Sequence, residues 1–501
     1  MTTTRRNFLR KTAAGITGAV LSGPLPGFQP EKTGSQAFYT AGANNGTPSD
    51  TLSAIRKYRM RDIEIQLLDM AGKPLKNLPV EITLQNHAFL FGDCNPEMDS
   101  MFRRGDALAE KLDVYRKVFS SVLNAVNSTC YWSERPRNNM AKTEAYQGEY
   151  KLDGFANTVD WGNANGLTVK GHPLFWTVPK AVPEWLTKYE YDTQLKFLEV
   201  RLRSMVGRFR GKVKLWDAVN EMLWEPALKN LAKRDWPYVE TLDNMAEYIS
   251  FVIRICREEA PGALFLLNDY GLEKDHNAKP QLIANDNDPN AANEAGLRAK
   301  DGTLVNARLQ RKRYLELVKR LQDMGYSPSA IGMQGHSGAV TAQEQISFYD
   351  EMAQAGLPLH VTEFWAHPSD FGEDFKTLPK AEQETKIAGY VKQFLTNAFA
   401  HPAIESFFFW GFMGMATEWH EGDAPVYLEK PVLASIKNLI RKEWHTNEKL
   451  TSNGDGIIKL RGFYGDYRLS YSIPGKNTGL LAVPFKVGKY ESMPYRFSLL
   501  F

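Results

Sequence analysis

Residues 213–224 read VKLWDAVNEMLW, and this stretch changes character near its middle. Its first part is an apolar run typical of a buried strand, in which Asp217 is expected to be a buried hydrogen-bonding residue. The run then ends in an amide and a carboxylate side by side, Asn220 and Glu221. A buried strand cannot hold an unpaired carboxylate at low cost. We therefore expect Glu221 at the strand end, facing polar partners from other strands.

Seven more apolar runs of similar length occur along the chain. In order, the eight runs are HAFLFGD (87–93), SVLNAVN (121–127), LTVKGHPLFW (167–176), VKLWDAVNE (213–221), ALFLLND (263–269), AIGMQGH (330–336), LPLHVTEF (357–364) and ESFFFWGF (405–412). Amphipathic stretches separate them, for example YDTQLKFLEVRLRSMVGRF (191–209) and ARLQRKRYLELVKRLQDMG (307–325), and their periodicity is helical. Near-continuous apolar strands alternating with helices indicate an α/β fold and predict a (β/α)8 TIM barrel. An open doubly wound sheet is the competing interpretation, which is disfavoured because no Gly-rich phosphate loop follows the first run.

The rest of the 501-residue chain is expected to form small accessory elements around the barrel. We place the barrel at residues 88–445, between a small N-terminal β-element at 58–87 and a C-terminal β-module at 446–501. Alternating apolar residues on both sides of an AGKP turn predict a hairpin in the N-terminal element. The Asn-, Asp- and Ala-rich residues 271–305 are expected to be a long loop after the fifth strand.

The N-terminus has the pattern of an export signal. Arg5 and Arg6 are followed by a short, Gly-rich apolar stretch, and residues 1–30 resemble a twin-arginine signal peptide. Residues 31–57 are predicted to be a linker. We therefore predict a bacterial protein exported to the periplasm or the cell exterior. Stable membrane insertion is not expected, because the apolar stretch is too short to span a bilayer.

Composition excludes several classes of function. A net charge of +3 without a long basic run argues against nucleic-acid binding. The three cysteines, Cys94, Cys130 and Cys256, form no CxxC motif, and no HxH or HExxH motif occurs, which argues against a metal-dependent hydrolase. No metal or other cofactor is expected. The 11 tryptophans suit the stacking of sugars, and the oligomeric state is left open.

Polar and aromatic side chains follow six of the apolar runs. In chain order they are His172 and Trp176; Asn220 and Glu221; Asn268, Asp269 and Tyr270; Gln334 and His336; Glu363, Phe364 and Trp365; and Trp410. The carboxyl ends of barrel strands converge on one face, so these groups are expected to share a pocket. Two carboxyl groups in such a pocket are what glycoside cleavage requires, since one protonates the leaving oxygen and the other attacks or activates water. We expect Asn220 to bond a sugar hydroxyl and His336 to hold Glu363 ionised.

Six motifs occur in a fixed order across about residues 88–440: GHPLFW, LWDAVNE, NDY, IGMQGH, VTEF and WG. Together they resemble the motif series of glycoside hydrolase family 10, the β-1,4-xylanases. The resemblance implies a retaining mechanism on a polysaccharide, xylan or a related β-glycan, with Glu221 as acid/base and Glu363 as nucleophile. It matches Asn220, Gln334 and His336 to supporting polar groups, Trp410 and Trp419 to the tryptophans that wall the sugar, and Lys430-Pro431 to the family's closing KP. His172, Trp176 and Tyr270, from the other strand ends, complete the candidate substrate-binding set.

The chain departs from the family pattern on the glycone side. The family's Glu-Asn pair and Lys after the second strand are not found in VNSTCYWSERP (126–136), and Thr177 stands where the family has a His. We therefore predict an altered sugar grip, with Tyr131 or Trp132 offering aromatic surface. The main interpretation is an endo-1,4-β-xylanase. The alternatives are a related β-glycanase, an exo-acting β-glycosidase on a decorated polysaccharide, or a non-catalytic carbohydrate-binding barrel, which has no need of both glutamates.

Overall fold

The computed structural model describes residues 48–94, 96–133, 143–178, 181–232, 237–274, 297–300, 302–336, 340–422, 426–473 and 479–500. The predicted signal peptide and most of the predicted linker lie outside these residues. The last part of that linker is helical instead, because residues from Pro48 onward form the first helix and bury Ile55. Among the helices of the described chain, none has an apolar stretch long enough to cross a membrane.

The strands of the described residues are, in chain order, β1 (Met60–Leu68), β2 (Pro79–His87), β3 (Leu90–Cys94), β4 (Ala125–Thr129), β5 (Thr168–His172), β6 (Phe175–Trp176), β7 (Leu215–Asn220), β8 (Leu264–Asp269), β9 (Leu297–Arg298), β10 (Leu304–Val305), β11 (Ala330–Met333), β12 (Leu359–Phe364), β13 (Ile404–Trp410), β14 (Thr417–His420), β15 (Val426–Glu429), β16 (Asn447–Thr451), β17 (Ile457–Phe463), β18 (Gly465–Tyr471), β19 (Leu481–Val487) and β20 (Tyr495–Ser498). The α-helices are α1 (Pro48–Tyr58), α2 (Pro96–Arg103), α3 (Ala109–Val122), α4 (Asp153–Ala164), α5 (Tyr191–Arg208), α6 (Leu242–Glu259), α7 (Ala307–Asp323), α8 (Ala342–Met352), α9 (Lys380–Ala400), α10 (Phe412–Ala416) and α11 (Pro431–Asn438).

Eight parallel strands close into a barrel, in the order β3, β4, β5, β7, β8, β11, β12, β13 and back to β3. Each of the eight predicted apolar runs contributes one of these strands, so the TIM-barrel prediction is confirmed. Each barrel strand is apolar along nearly its whole length, because helices pack against its outer face and its inner face lines the barrel interior. The third run contributes two pieces, β5 and the short β6, which pairs with the end of β7.

The predicted N-terminal hairpin is wrong. Strand β1 pairs with β17 and β20, whereas β2 pairs with β16 and β18, so the two strands lie in different sheets. The sheet orders are β17-β1-β20 and β16-β2-β18-β19. The inward residues Ile65 of β1 and Ile82 of β2 are both fully buried. A lone two-stranded hairpin could not bury them, and strands from the C-terminal segment supply the missing partners.

The long loop expected after β8 is described only at its two ends. Residues 275–296 lie outside the described part, and the end of the loop contains the short antiparallel pair β9 and β10. Helix α7 follows, with the side chain of Asn306 accepting a hydrogen bond from the backbone N–H of Leu309. This cap satisfies one of the free N–H groups at the helix start.

Candidate active site

The two glutamates lie on strands whose pairing is locally irregular. The β7–β8 register shifts between Asp217 and Val219, and the β12–β13 register shifts between Val361 and Phe364. Such irregularities bend a strand and redirect its side chains, and they are common beside active sites. Glu221 directly follows β7 with a φ of 56°, in the left-handed region that non-glycine residues rarely adopt. Strain of this kind persists only where surrounding contacts hold it, and it clusters at functional sites.

The backbone contacts that hold Glu221 come from β8 and the residues just after β7. Its N–H donates to the carbonyl of Asn268 at 2.8 Å. Two residues later, the N–H of Leu223 donates to Asp269 Oδ2, also at 2.8 Å. The pKa of Asp269 is raised well above its ordinary value, first by burial and also by the nearby charge of Glu221. The NDY motif thus fixes the turn that carries Glu221.

Glu363 is 4% exposed, and its carboxylate has polar contacts with residues of β8 and of the segment after β11. Asn268 Nδ2 donates to Oε1 at 2.7 Å, and His336 Nε2 lies 3.2 Å from Oε2. His172 Nδ1 lies 3.7 Å from Oε1. Burial alone would raise the pKa of Glu363, but the charge of His172, with the hydrogen bond and charge of His336, outweighs it and lowers the pKa. The carboxylate is therefore held ionised.

Glu221 is partly exposed, and both of its carboxylate oxygens accept hydrogen bonds. The indole Nε1 of Trp176 donates to Oε2 at 2.7 Å, and Gln334 Nε2 donates to Oε1 at 3.1 Å. Gln334 is also 3.4 Å from Asn220 Oδ1, which accepts a hydrogen bond from Asn268 Nδ2 at 2.8 Å. Three amides therefore connect the two glutamates in one network.

Asn268 is the residue of this network that the predicted site set omits. It ends the fifth apolar run, where an Asn-Asp-Tyr sequence also suits an ordinary turn. Its amide bridges Asn220 and Glu363, and its Oδ1 accepts a hydrogen bond from Thr362. Gly332 of β11 makes room for it, because a Cβ at Gly332 would lie 2.7 Å from Asn268 Oδ1. The signal available in the sequence was a polar residue at the end of a fully apolar strand.

Aromatic side chains surround the two imidazoles beside Glu363. The Trp410 ring centroid lies 5.9 Å from His172 and 6.0 Å from His336, edge-on in both cases. Tyr131 is edge-on to His172 at 5.8 Å and tilted against Trp176 at 5.6 Å. These rings form an apolar boundary for the carboxylates and their partners.

Two further predicted residues lie against other groups. Tyr270 stacks on Trp224 at 5.3 Å, and its carbonyl accepts a hydrogen bond from the Trp224 indole. Trp419 lies on the hairpin of β14 and β15, where it packs against Tyr427 at 4.8 Å and beneath Lys111 Nζ at 4.8 Å. The remaining predicted residues, His172, Trp176, Asn220, Glu221, Gln334, His336, Glu363 and Trp410, are brought together around the two carboxylates.

The expectation that Trp132 offers a sugar-stacking surface is wrong. Trp132 is 3% exposed, and its indole donates to Glu144 Oε2 at 2.9 Å. Its ring packs edge-on against Phe175 and Trp185, with the Arg201 guanidinium 5.2 Å from its centroid. The Trp132 side chain is packed in the protein interior, so neither face of its ring is available to stack on a sugar.

The residues before Trp132 are also interior. Thr129 donates its hydroxyl to the buried Asp99 at 3.2 Å, and the N–H of Cys130 donates to the His172 carbonyl at 2.6 Å. Cys130 is fully buried, and Tyr131 is 3% exposed. This stretch therefore fills space beneath the site. Tyr131 contacts the rings of His172 and Trp176, whereas Trp132 packs against Phe175 and Trp185.

No group of three or more His, Cys, Asp or Glu side chains with metal-binding geometry occurs in the described part of the chain. The contacts around Glu221 and Glu363 come from amides, imidazoles and indoles. These groups suit acid–base and nucleophilic chemistry at a glycosidic bond.

Comparison with known proteins places this site in a family context. The model of "Glycosyl hydrolase family 10" matches residues 131–288 and 287–435. Similar curated proteins include the anti-sigma-I factor RsgI6 of Acetivibrio thermocellus, 24% identical over 84% of this chain and 46% of that protein. They also include endo-1,4-beta-xylanase 3 of Arabidopsis thaliana, 24% identical over 70% of this chain and 39% of that protein. The chain thus spans less than half the length of these relatives.

Solved structures of similar proteins share lower sequence identity. The GH10 structure from Paenibacillus barcinonensis is 17% identical, covers 70% of this chain and 94% of its own, and superposes with a TM-score of 0.49. Native xylanase 10B of Thermotoga maritima is 18% identical, covers 71% of this chain and 96% of its own, and has a TM-score of 0.48.

Proposed function

This chain belongs to glycosyl hydrolase family 10, and on that premise we propose that it is a retaining glycoside hydrolase that cleaves β-1,4-xylosidic linkages in xylan. The observation that carries the proposal is the amide network joining Glu221 to Glu363 at the ends of β7 and β12. A binding protein would have no need to hold two carboxylates in one hydrogen-bonded set. The alternative of a non-catalytic barrel is therefore disfavoured.

The environments of the two glutamates support a division of roles between them. Glu363 is buried, and the imidazoles of His172 and His336 lower its pKa, which suits an ionised nucleophile. Glu221 is more exposed, at the end of β7, where it can meet both a leaving group and water. Two carboxyl groups held in different environments are the usual basis for dividing nucleophile from acid/base.

The reaction proceeds in two steps. In the first, Glu363 attacks the anomeric carbon while Glu221 gives its proton to the glycosidic oxygen, so that the C–O bond to the leaving sugar breaks. In the second, Glu221 takes a proton from water, the hydroxide attacks the anomeric carbon, and Glu363 leaves. Two inversions give net retention. Asn268 donates to Glu363 and orients the nucleophile, while Asn220, which accepts from Asn268, is assigned the hydrogen bond to a sugar hydroxyl.

The filled interior after β4 favours a second candidate within the same class. Thr129, Cys130 and Trp132 are committed to packing and to internal hydrogen bonds, so none of these three side chains offers a charged or amide group to a sugar. Each directional hydrogen bond lost to a sugar is worth about 1 kcal/mol, and more where the group is charged. We therefore propose weaker action on plain linear xylan than on a decorated or different β-linked chain, including exo action on such a chain.

One experiment tests both statements. Linear xylo-oligosaccharides, arabinoxylan, glucuronoxylan and mixed-linkage β-glucan are each incubated with the protein, and early products are followed by ¹H NMR. We expect the β-anomer to appear first and to mutarotate later, with higher kcat/KM on a decorated chain. Early α-anomer would overturn retention. If kcat/KM were highest on linear xylan, the proposed preference for a decorated or different β-linked chain would be wrong. If no β-glycan were hydrolysed, the assignment as an enzyme would be wrong.

We also propose export through the twin-arginine route, on the basis of Arg5, Arg6 and the apolar stretch that follows them. Replacing both arginines with lysine is expected to keep the protein in the cytoplasm, because that route receives folded proteins whose signal carries the arginine pair. Fractionation of cells followed by glycosidase assay measures this. A double variant that reaches the periplasm as efficiently as the parent protein would contradict the export route.

A further inference from the structure

A fully buried ion pair lies in the barrel next to the hydrogen-bonded set around Glu363. Lys170 Nζ of β5 is 2.7 Å from Asp217 Oδ2 of β7, and both side chains are 0% exposed. The Lys170 ammonium also lies 5.2 Å from the ring centroid of Phe408. Lysine is almost never fully buried unless it is paired, because removing an ammonium from water is costly. A barrel interior is ordinarily filled by branched apolar residues, so this pair needs an explanation.

The pair is connected to the nucleophile through one imidazole. Lys170 and His172 are two residues apart on β5, so their side chains leave the strand on the same face. Asp217 Oδ2, the oxygen that forms the ion pair with Lys170, also lies 2.8 Å from His172 Nδ1 and accepts its hydrogen bond. The same Nδ1 lies 3.7 Å from Glu363 Oε1. A continuous chain of contacts therefore runs from Lys170 through Asp217 and His172 to Glu363.

We propose that Lys170 is a positioning residue for the nucleophile. It balances the charge of Asp217, so that Asp217 can orient His172 without imposing a net negative charge on Glu363. The inference rests on the proposed role of Glu363 as the nucleophile. Without Lys170, the buried Asp217 carboxylate would oppose ionisation of the group that must attack.

The charges around Glu363 agree with this role. Among the described groups, the charges that act on Glu363 come from His172 on β5, His336 after β11 and Asp217 on β7, and the Cys94 thiol on β3 lies near enough to be affected by Glu363. Lys170 on β5 and Asp217 also act on His360 of β12. Asp217 raises the pKa of Glu363, opposing the two imidazoles. Burial raises the pKa of Asp217, but Lys170 and then His172 outweigh it and hold the carboxylate ionised. Burial lowers the pKa of His360 to about 3, so His360 is neutral and does not balance Asp217.

A purely structural ion pair would behave differently from a charge-balancing one. Breaking a structural pair from either side lowers stability and leaves the ionisation of Glu363 where it was. Breaking a charge-balancing pair shifts that ionisation in a direction set by which charge is removed. Loss of the positive charge disfavours the carboxylate of Glu363, and loss of the negative charge favours it.

The test compares pH profiles of kcat/KM, whose acid limb reports ionisation of the nucleophile in the free enzyme. The variants are Lys170→Met, Asp217→Asn, the double variant and Lys170→Arg, all checked for folding by circular dichroism. Lys212→Met is the matched control, since Lys212 forms an exposed pair with Asp160 at 2.8 Å. The substrate is the glycan on which the parent enzyme is most active.

We expect the acid limb of Lys170→Met to move to higher pH, with a several-fold loss of kcat/KM at the acid end relative to its own plateau. Asp217→Asn should move the limb to lower pH, and the double variant should return it close to that of the parent. Lys170→Arg keeps the charge and should keep the limb, as should Lys212→Met. If Lys170→Met does not fold, the shift of Asp217→Asn and its reversal in the double variant carry the test.

The inference would be overturned if the acid limbs of all variants coincided, or if the limbs of Lys170→Met and Asp217→Asn moved in the same direction. Either result is compatible with an active parent enzyme and so leaves the proposed function standing. The pKa of Glu363 is also measured directly by ¹³C NMR of carboxyl-labelled protein, with the signal assigned by Glu363→Gln. This measurement needs no turnover. A parent protein without glycosidase activity would therefore refute the proposed function, and the NMR titrations would still decide the role of Lys170.

Discussion

Replacing Glu363 with alanine is expected to lower turnover of every glycoside by at least about 10⁴-fold, the scale on which covalent catalysts lose rate when the nucleophile is removed. No other described carboxylate lies in the position that Asn268 and His336 hold for Glu363. The loss should be similar for xylan fragments and for aryl glycosides with good leaving groups, because both need the same nucleophile. Steady-state kinetics on both substrate types measures it.

The matched control for this variant is Glu418→Ala, since Glu418 is an exposed glutamate paired with Lys380 at 2.8 Å. That change should leave kcat unaltered. Azide added to Glu363→Ala should occupy the vacated space and attack an activated β-glycoside directly, giving an α-glycosyl azide. Residual activity above about 1% of the parent, with unchanged product configuration, would contradict the assignment of Glu363.

The second large effect concerns Glu221. Glu221→Ala is expected to lower kcat/KM on natural oligosaccharides by about 10²- to 10⁴-fold, the usual contribution of a general acid. Aryl glycosides whose leaving groups depart without protonation should lose far less, because kcat/KM reports the first step. Their kcat should nevertheless fall, since the second step lacks its base and the glycosyl-enzyme accumulates. A dinitrophenyl glycoside compared with an unactivated xylo-oligosaccharide measures the difference.

Trapping experiments sharpen this prediction. The accumulated intermediate should be visible by mass spectrometry as a glycosyl adduct on the peptide that contains Glu363. Azide should speed its breakdown and yield a β-glycosyl azide, the opposite anomer to that expected from Glu363→Ala. Equal losses of kcat/KM on activated and unactivated substrates would rule out Glu221 as the general acid.

The fold class was predictable because its signal is local. Eight apolar runs alternating with helical stretches specify eight buried parallel strands, and helices α5 and α7 begin at the first residues of the stretches at 191–209 and 307–325. The two candidate carboxylates could also be picked out from the sequence. Glu221 and Glu363 end apolar runs, and burying an unpaired carboxylate in such a run is costly. Convergence at one face then follows from the barrel itself.

The partners of these residues were harder to predict. Asn268 occupies a sequence that suits a turn, yet it bridges Asn220 and Glu363. Asp217 was expected to be a buried hydrogen-bonding residue, and the identity of its partners, Lys170 and His172, depends on how β5 and β7 pair. A single sequence contains no record of which side chains meet across two strands.

The sequence by itself determined the barrel, the two glutamates and the order of the motifs, because hydrophobic period and strand-end chemistry are properties of short stretches. Only the tertiary structure decided that Trp132 is interior, and that β1 pairs with β17 rather than with β2. It also decided that Lys170 lies against Asp217. The physical reason is the same in each case: burial and charge pairing are settled by segments distant along the chain, whose approach depends on the packing of the whole molecule.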